Sequence, residues 1–215
     1  MNDQIKIEHV SHMGNDLSVV NAARVSFGKA KTHLDEADKR LIKYLASNNH
    51  ETPFRHVQVT IRCKAPIFLA RQLGKHQIGL SWNEISRRYV DGVPEIYHPD
   101  TWRMRPDKSI KQGSGDCANK AHNDWNDDDY GVAVNACLYA YNQMIERGTA
   151  PEMARMVLPQ SMITEWIWTG SLQAFAHIYK LRSDGHAQNE AQSFANSLYA
   201  TMNGIAPVSW EALTK

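Results

Sequence analysis

The run RQLGKHQIGLSWNEISRRY, residues 71–89, gathers Arg71, Lys75, Arg87 and Arg88 around a glycine-bracketed turn that also carries His76, Ser81, Asn83, Glu84 and Ser86. It is too polar for a core and too mixed in type for a plain solvated face. Such a set suits a small anionic, hydrogen-bonding ligand such as a nucleotide, because Arg presents a planar fork that binds phosphate through two parallel bonds. Arg155 and Arg182 extend the set. Arg155 sits in the apolar frame ARMVLP, where an unpaired charge is costly. Arg182 falls at a helix end, before a Ser-Asp-Gly turn. Each arginine also has a plainer reading. Arg87 and Arg88 can be exposed loop charges, and Arg182 can complement a helix dipole.

Glu84 and Asn83 offer groups suited to a base edge or a sugar hydroxyl, and Ser81 and Ser86 offer the same. Ser86 lies in no G-x-S-x-G elbow, so it reads as a hydrogen-bonding serine rather than a nucleophile. His50, His76 and His186 are isolated, without H-x-x-x-H or H-E-x-x-H spacing, so no metal site is expected. Trp82, Trp166 and Trp168 read as core or interface. No GxGxxG or GxxxxGK[ST] occurs, which removes the standard loops for cradling phosphate.

Something must position these side chains. With 215 residues and 42% hydrophobic content, one sizeable core is feasible. We expect a single domain over 1–215. A formal charge of +1 argues against nucleic acid as partner. Three irregularly spaced cysteines suggest neither zinc nor disulfides, so a reducing cytoplasm is the expected location. No apolar leader or membrane-length run is seen, so no membrane partner is expected.

Ile5, Ile7 and Val10 suggest a first strand. Asn15 or Asp16 caps a helix, and a second helix over about 35–47 shows Leu41, Tyr44 and Leu45 on one face. Val57, Val59, Ile61 and Cys63 alternate with polar residues as a half-buried strand. Pro66 opens a helix that Gly74 ends, and a loop follows. Residues 105–129 read as a long polar surface loop or insertion. A helix over 130–147 follows, with a stripe of Val134, Leu138, Tyr141 and Ile145. A short helix starts at Pro151, a strand spans 164–169, and helices span 171–181 and 187–203. Few strands without βαβ order predict an α+β fold, helix-rich around a small, mostly antiparallel sheet.

Taken in order, the blocks MGNDLSVVNAARVSF (13–27), HETPFRH (50–56), KAPIFLARQ (64–72), SWNEISRRY (81–89), ARMVLP (154–159) and LRSDGHAQNE (181–190) resemble the flavin-dependent thymidylate synthases. The likeness covers nearly the whole chain. It implies an enzyme, usually a homotetramer, that makes dTMP from dUMP. It implies FAD as cofactor, 5,10-methylenetetrahydrofolate as carbon donor, NADPH as reductant, and no cysteine nucleophile. By the same resemblance, Gln72, Glu84, Ile85, Ser86, Arg87, Arg88, Arg155 and Arg182 fall on dUMP positions, with Arg182 and Ser86 as the catalytic pair. Arg182 would contact the uracil, where a cation stabilises charge that develops as C5 becomes nucleophilic. Arg88 and Arg155 would grip the phosphate, acting across a subunit boundary. Ser26, His50, Thr52, Lys75, His76, Gln77, Asn83, Glu84, Ser171, Gln173 and His177 fall on flavin positions.

The chain departs from the family in two places. The family signature is R-H-R-x7-S, whereas here Lys75-His76-Gln77 is followed by eight residues, Ile78 to Ile85, before Ser86. Lys75 keeps the charge but loses the fork, and Gln77 loses the charge. Downstream, Ser171-Leu172-Gln173 replaces Asn-x-Arg, and His177 replaces an Asn. Both changes face the flavin in the family, so they imply one remodelled flavin site with the dUMP arginines kept. Two other readings fit a changed flavin side: hydroxymethylation at C5 of a pyrimidine deoxynucleotide, or a non-catalytic nucleotide-binding relative.

Overall fold

The computed structural model describes residues 4–107 and 113–215. Alternation builds its sheet. In β2 (Gln58–Pro66), Val59, Ile61, Cys63 and Ala65 are fully buried, while Gln58, Thr60, Arg62 and Lys64 between them are not. β4 (Ile163–Ser171) repeats the pattern with Trp166 and Trp168. The two strands pair antiparallel, Ile61 opposite Trp168 and Cys63 opposite Trp166. On the other face, Thr60 and Thr169 share a 3.0 Å hydrogen bond. β1 (Lys6–Met13) flanks β2, and β3 (Leu80–Glu84) flanks β4, giving the antiparallel order β1-β2-β4-β3.

β3 lies where the sequence suggested a loop. Its strand character comes from pairing with β4 and from Trp82, whose ring stacks on Trp166 at 4.3 Å. Those are tertiary contacts that a five-residue polar run does not announce. Gly79, at φ 71, turns the chain into the strand.

Helices cover the face that holds the tryptophans. They are α1 (Asp16–Arg24), α2 (Glu36–Ser47), α3 (Ile67–Leu73), α6 (Leu172–Arg182), α7 (Asn189–Ile205) and α8 (Pro207–Thr214). Phe175 of α6 and Phe194 of α7 pack on Trp168, and Trp210 of α8 is fully buried. On α2 the buried apolar residues are Ile42 and Leu45, while Tyr44 is exposed, which shifts the expected stripe. α8 was not anticipated. Its N-terminal amides at Val208 and Ser209 bond to the buried carboxylate of Asp16, at 3.1 and 2.7 Å. Asp16 therefore caps a helix far along the chain, and Asn15 caps α1.

The expected polar loop is half helix. α4 (Lys120–Glu146) begins well before residue 130, with Asn119 accepting from the His122 amide at 3.0 Å. Its first turns are Asn- and Asp-rich and solvent-facing, so no apolar period marks them. α5 (Pro151–Ala154) and a 3-10 turn, Arg155–Val157, follow. Residues 102–104, just before that loop, pair with 115–118 inside it. Met104 and Asp116 are bonded backbone to backbone at 2.9 Å, as are Ala118 and Trp102 at 2.8 Å. Positions 108–112 of the expected loop lie outside the described residues. Among the described residues no helix is long and apolar enough to cross a membrane.

Candidate functional site

The chain leaving β3 forms one end of the site. Glu84, Ile85, Ser86, Arg87 and Arg88 line a cleft of about 450 Å³ together with Arg155. Ser86 Oγ accepts from the Arg88 backbone amide at 3.3 Å and from Arg88 Nε at 3.1 Å. The serine thus aims the guanidinium, and its own hydroxyl proton takes part in neither bond. Arg87 donates to the Gly92 carbonyl and closes the loop. Glu84 accepts from Thr164 Oγ1 at 2.7 Å and from Trp82 Nε1 at 3.2 Å, so its carboxylate is fixed from both sides. Arg155 is exposed, contrary to the burial its apolar frame suggested. The frame buries Ala154 but leaves Met156 exposed and Arg155 on the rim, with Nε on the Glu152 carbonyl at 3.2 Å.

The other end is more enclosed. Gln72 and Arg182 line a cleft of about 630 Å³. Gln72 Oε1 is buried without a hydrogen-bond partner, a state that native proteins seldom leave unexplained. Arg182 donates through Nε and Nη2 to His76 Nε2, at 3.2 and 2.9 Å. To accept both bonds the imidazole must be neutral there. Burial first, then the charges of Arg182 and His177, pull the His76 pKa down to about 4. Burial also lowers the Arg182 pKa.

Between the two ends lies a third cleft, of about 640 Å³, lined by Arg71, Lys75, His76, Gln77, Trp82, Glu84 and Trp168. It shares Ile67 and Glu84 with the Arg88 cleft. Cationic and amide donors beside an indole wall suit a large flat ring carrying a diphosphate, so these residues fit FAD. Gln173 and His177 line a small cavity of about 100 Å³ with Asn49, Glu51 and Phe54. The His177 ring meets His76 edge-on at 6.0 Å. His50 packs edge-on against Tyr44 at 6.1 Å, and Thr52 begins a 3-10 turn beside that cavity. Asn83 is exposed on β3, and Ser26 is exposed on the turn after α1, apart from these clefts. The Ser171 hydroxyl is buried and caps α6, accepting from the Ala174 amide at 3.2 Å. That is a structural task the sequence reading did not assign.

One chain therefore brings together Glu84 to Arg88 with Arg155, and separately Gln72 with Arg182 and His76. Sequence reasoning missed Arg103, Lys180 and Ser114, which line the Arg182 cleft. Arg103 lies just before the stretch read as a loop, in a segment given no element. Its signal was a lone arginine in an aromatic frame, YHPDTWRM. No cysteine enters these clefts, and burial pushes the Cys63 thiol well up, away from a thiolate role.

The family described as "Thymidylate synthase complementing protein" matches residues 8–208. A flavin-dependent thymidylate synthase of Thermosipho africanus is 40% identical over 211 residues, covering 96% of this chain and 89% of that one. Its counterpart in Dictyostelium discoideum is 35% identical over 197 residues, covering 92% and 64%. Among solved structures, a UMP/dUMP methylase PolB from Streptomyces cacaoi bound with 5-Br dUMP superposes with a TM-score of 0.88. It is 29% identical, and the match covers 98% of this chain and 94% of that one.

Proposed function

The chain belongs to the flavin-dependent thymidylate synthase family, and on that premise we propose that it methylates dUMP to dTMP with 5,10-methylenetetrahydrofolate as carbon donor. One observation carries the residue assignment. Arg88 and Arg155 face one cleft, with Ser86 holding Arg88 in place. Two guanidiniums there neutralise a phosphate dianion. Ser86 and Glu84 complete the polar wall for the nucleotide.

Arg182 and Gln72 take the uracil. Gln72, whose Oε1 has no hydrogen-bond partner, complements the edge of the base. Arg182 sets its cation against the charge that builds on the pyrimidine as C5 becomes nucleophilic. His76, neutral and accepting, keeps that guanidinium from rotating away. Arg71, Lys75, His76, Gln77 and the Trp82 wall hold FAD, with Gln173 and His177 beside them. When bound, FAD supplies the hydride that completes the methyl group. NADPH is the proposed reductant.

The phosphate end and the base end lie in different clefts of one chain. We take them as halves of sites completed between subunits of a homotetramer. Purified protein supplied with FAD, dUMP, methylenetetrahydrofolate and NADPH should yield dTMP by mass spectrometry. A hydroxymethyl product formed without reductant would replace this reading. Binding of dUMP without conversion would leave a nucleotide-binding relative.

A further inference from the structure

The connection between β3 and α4 is anchored to the Arg182 end by a largely buried ion pair. Arg103 donates from one Nη to both carboxylate oxygens of Glu190, at 2.8 Å each, and from Nε to Ser114 Oγ at 2.7 Å. Glu190 is 5% exposed and also accepts from the buried Tyr97 hydroxyl at 3.1 Å. Burial alone would raise the Glu190 pKa, but the bonds from Arg103 and Tyr97 prevail and hold it below the usual carboxylate value. A second contact is independent of charge. Gly113 has φ +90, and a Cβ there would stand 2.9 Å from the His186 carbonyl oxygen. The backbone at Gly113 thus lies directly on the turn between α6 and α7, which begins just after Arg182.

A plain structural pair would tie down the connection anywhere along its length. Here both anchors fall on the wall of one cleft, which Arg103, Gly113 and Ser114 line together with Gln72 and Arg182. The paired stretches 102–104 and 115–118 give that wall its stiffness.

We infer that Arg103 is a positioning residue for the base end of the nucleotide site. It acts through Glu190 and Ser114, seating the β3–α4 connection on the turn after Arg182 and so fixing the width of the cleft. The inference rests on the dUMP reading above. Losing this wall weakens nucleotide binding more than it slows the bound complex, because Arg103 itself meets no reacting atom.

The test is steady-state kinetics on FAD-loaded protein with dUMP varied. Arg103→Ala should raise KM for dUMP about tenfold, which corresponds to roughly 1.4 kcal/mol. The turnover number should fall far less, and the flavin absorption spectrum should be unchanged. Arg103→Lys keeps charge without the fork and should raise KM less. Gly113→Ala pushes on the same wall without touching any charge and should shift KM in the same direction. Arg103→Ala combined with Glu190→Gln should be no worse than Arg103→Ala alone, since both break one link. If Arg103→Ala does not fold, Arg103→Lys and Gly113→Ala decide the matter. An unchanged KM in both, with activity falling only as folded protein is lost, overturns the inference. Wild-type protein without dUMP turnover would instead remove the functional reading beneath it.

Discussion

The two ends of the candidate site are built in opposite ways. The Arg88 end is local: Glu84 to Arg88 are consecutive, and only Arg155 arrives from elsewhere. Its arginines sit on exposed backbone, where water screens them and a ligand can displace that water. The Arg182 end is assembled from α3, the β3–α4 connection and the turn between α6 and α7. Its groups are partly buried and hold one another: Arg182 on His76, Arg103 on Glu190. On the proposed assignment, the difference separates two tasks. A phosphate keeps its charge throughout the reaction and needs only compensation. Charge on the pyrimidine appears only in the transition state, so the group that meets it must already be oriented.

That contrast can be broken at its most costly point first. Glu190→Ala strands the Arg103 guanidinium in a mostly buried place and should destabilise the protein by about 3 kcal/mol. Chemical denaturation would read this, and a loss near zero would mean that the base end is not held as described. Arg182→Ala should lower turnover about 100- to 1,000-fold, as loss of a preorganised charge does. Flavin binding should survive. Arg88→Ala and Arg155→Ala should mainly raise KM for dUMP, about 10- to 100-fold, in line with roughly 1.5–3 kcal/mol for a hydrogen bond to a charged group. A turnover defect as deep as that of Arg182→Ala would erase the distinction between the ends.

Acid sharpens the same contrast. His76 is held at about 4 against an ordinary 6.5, so the unfolded chain takes up the proton first. Stability from this group is complete above pH 6.5 and declines as pH falls from 6.5 towards 4. Through the lower part of that window, protonated His76 releases Arg182. Melting temperature against pH should fall more steeply for wild type than for His76→Gln, which has no proton to gain. Smallest of all, Ser171→Ala removes a helix cap and should cost about 1 kcal/mol, roughly 2–4 °C in melting temperature. A large loss of flavin from that variant would show a cofactor role beyond the cap.

The same contrast explains what the sequence made legible. The Arg88 end was readable because its residues are neighbours in the chain and their types declare an anion site. Strands β2 and β4 were readable because Val59, Ile61, Trp166 and Trp168 keep a period of two. β3 was not readable, since its strand character depends on Trp82 stacking against a residue far along the chain. α8 and the cap from Asp16 were hidden for the same reason. Arg103 was missed because a lone arginine outside any recognised block looks like a solvated charge until Glu190 is placed beside it. The first turns of α4 escaped because a solvent-facing Asp-rich helix carries no apolar period.

The central claim is that the phosphate end and the base end serve one dUMP molecule from different subunits. The direct measurement mixes two impaired proteins, Arg88→Ala and Arg182→Ala, by unfolding and refolding them together, and assays the mixture at dUMP well below the raised KM of Arg88→Ala, where each variant alone is slow. If sites form across subunits, some sites in the mixed oligomers regain both arginines, and dTMP formation returns to a sizeable fraction of the wild-type rate. If both variants fold and assemble yet the mixture stays as slow as its components, the two ends do not share a nucleotide in this way.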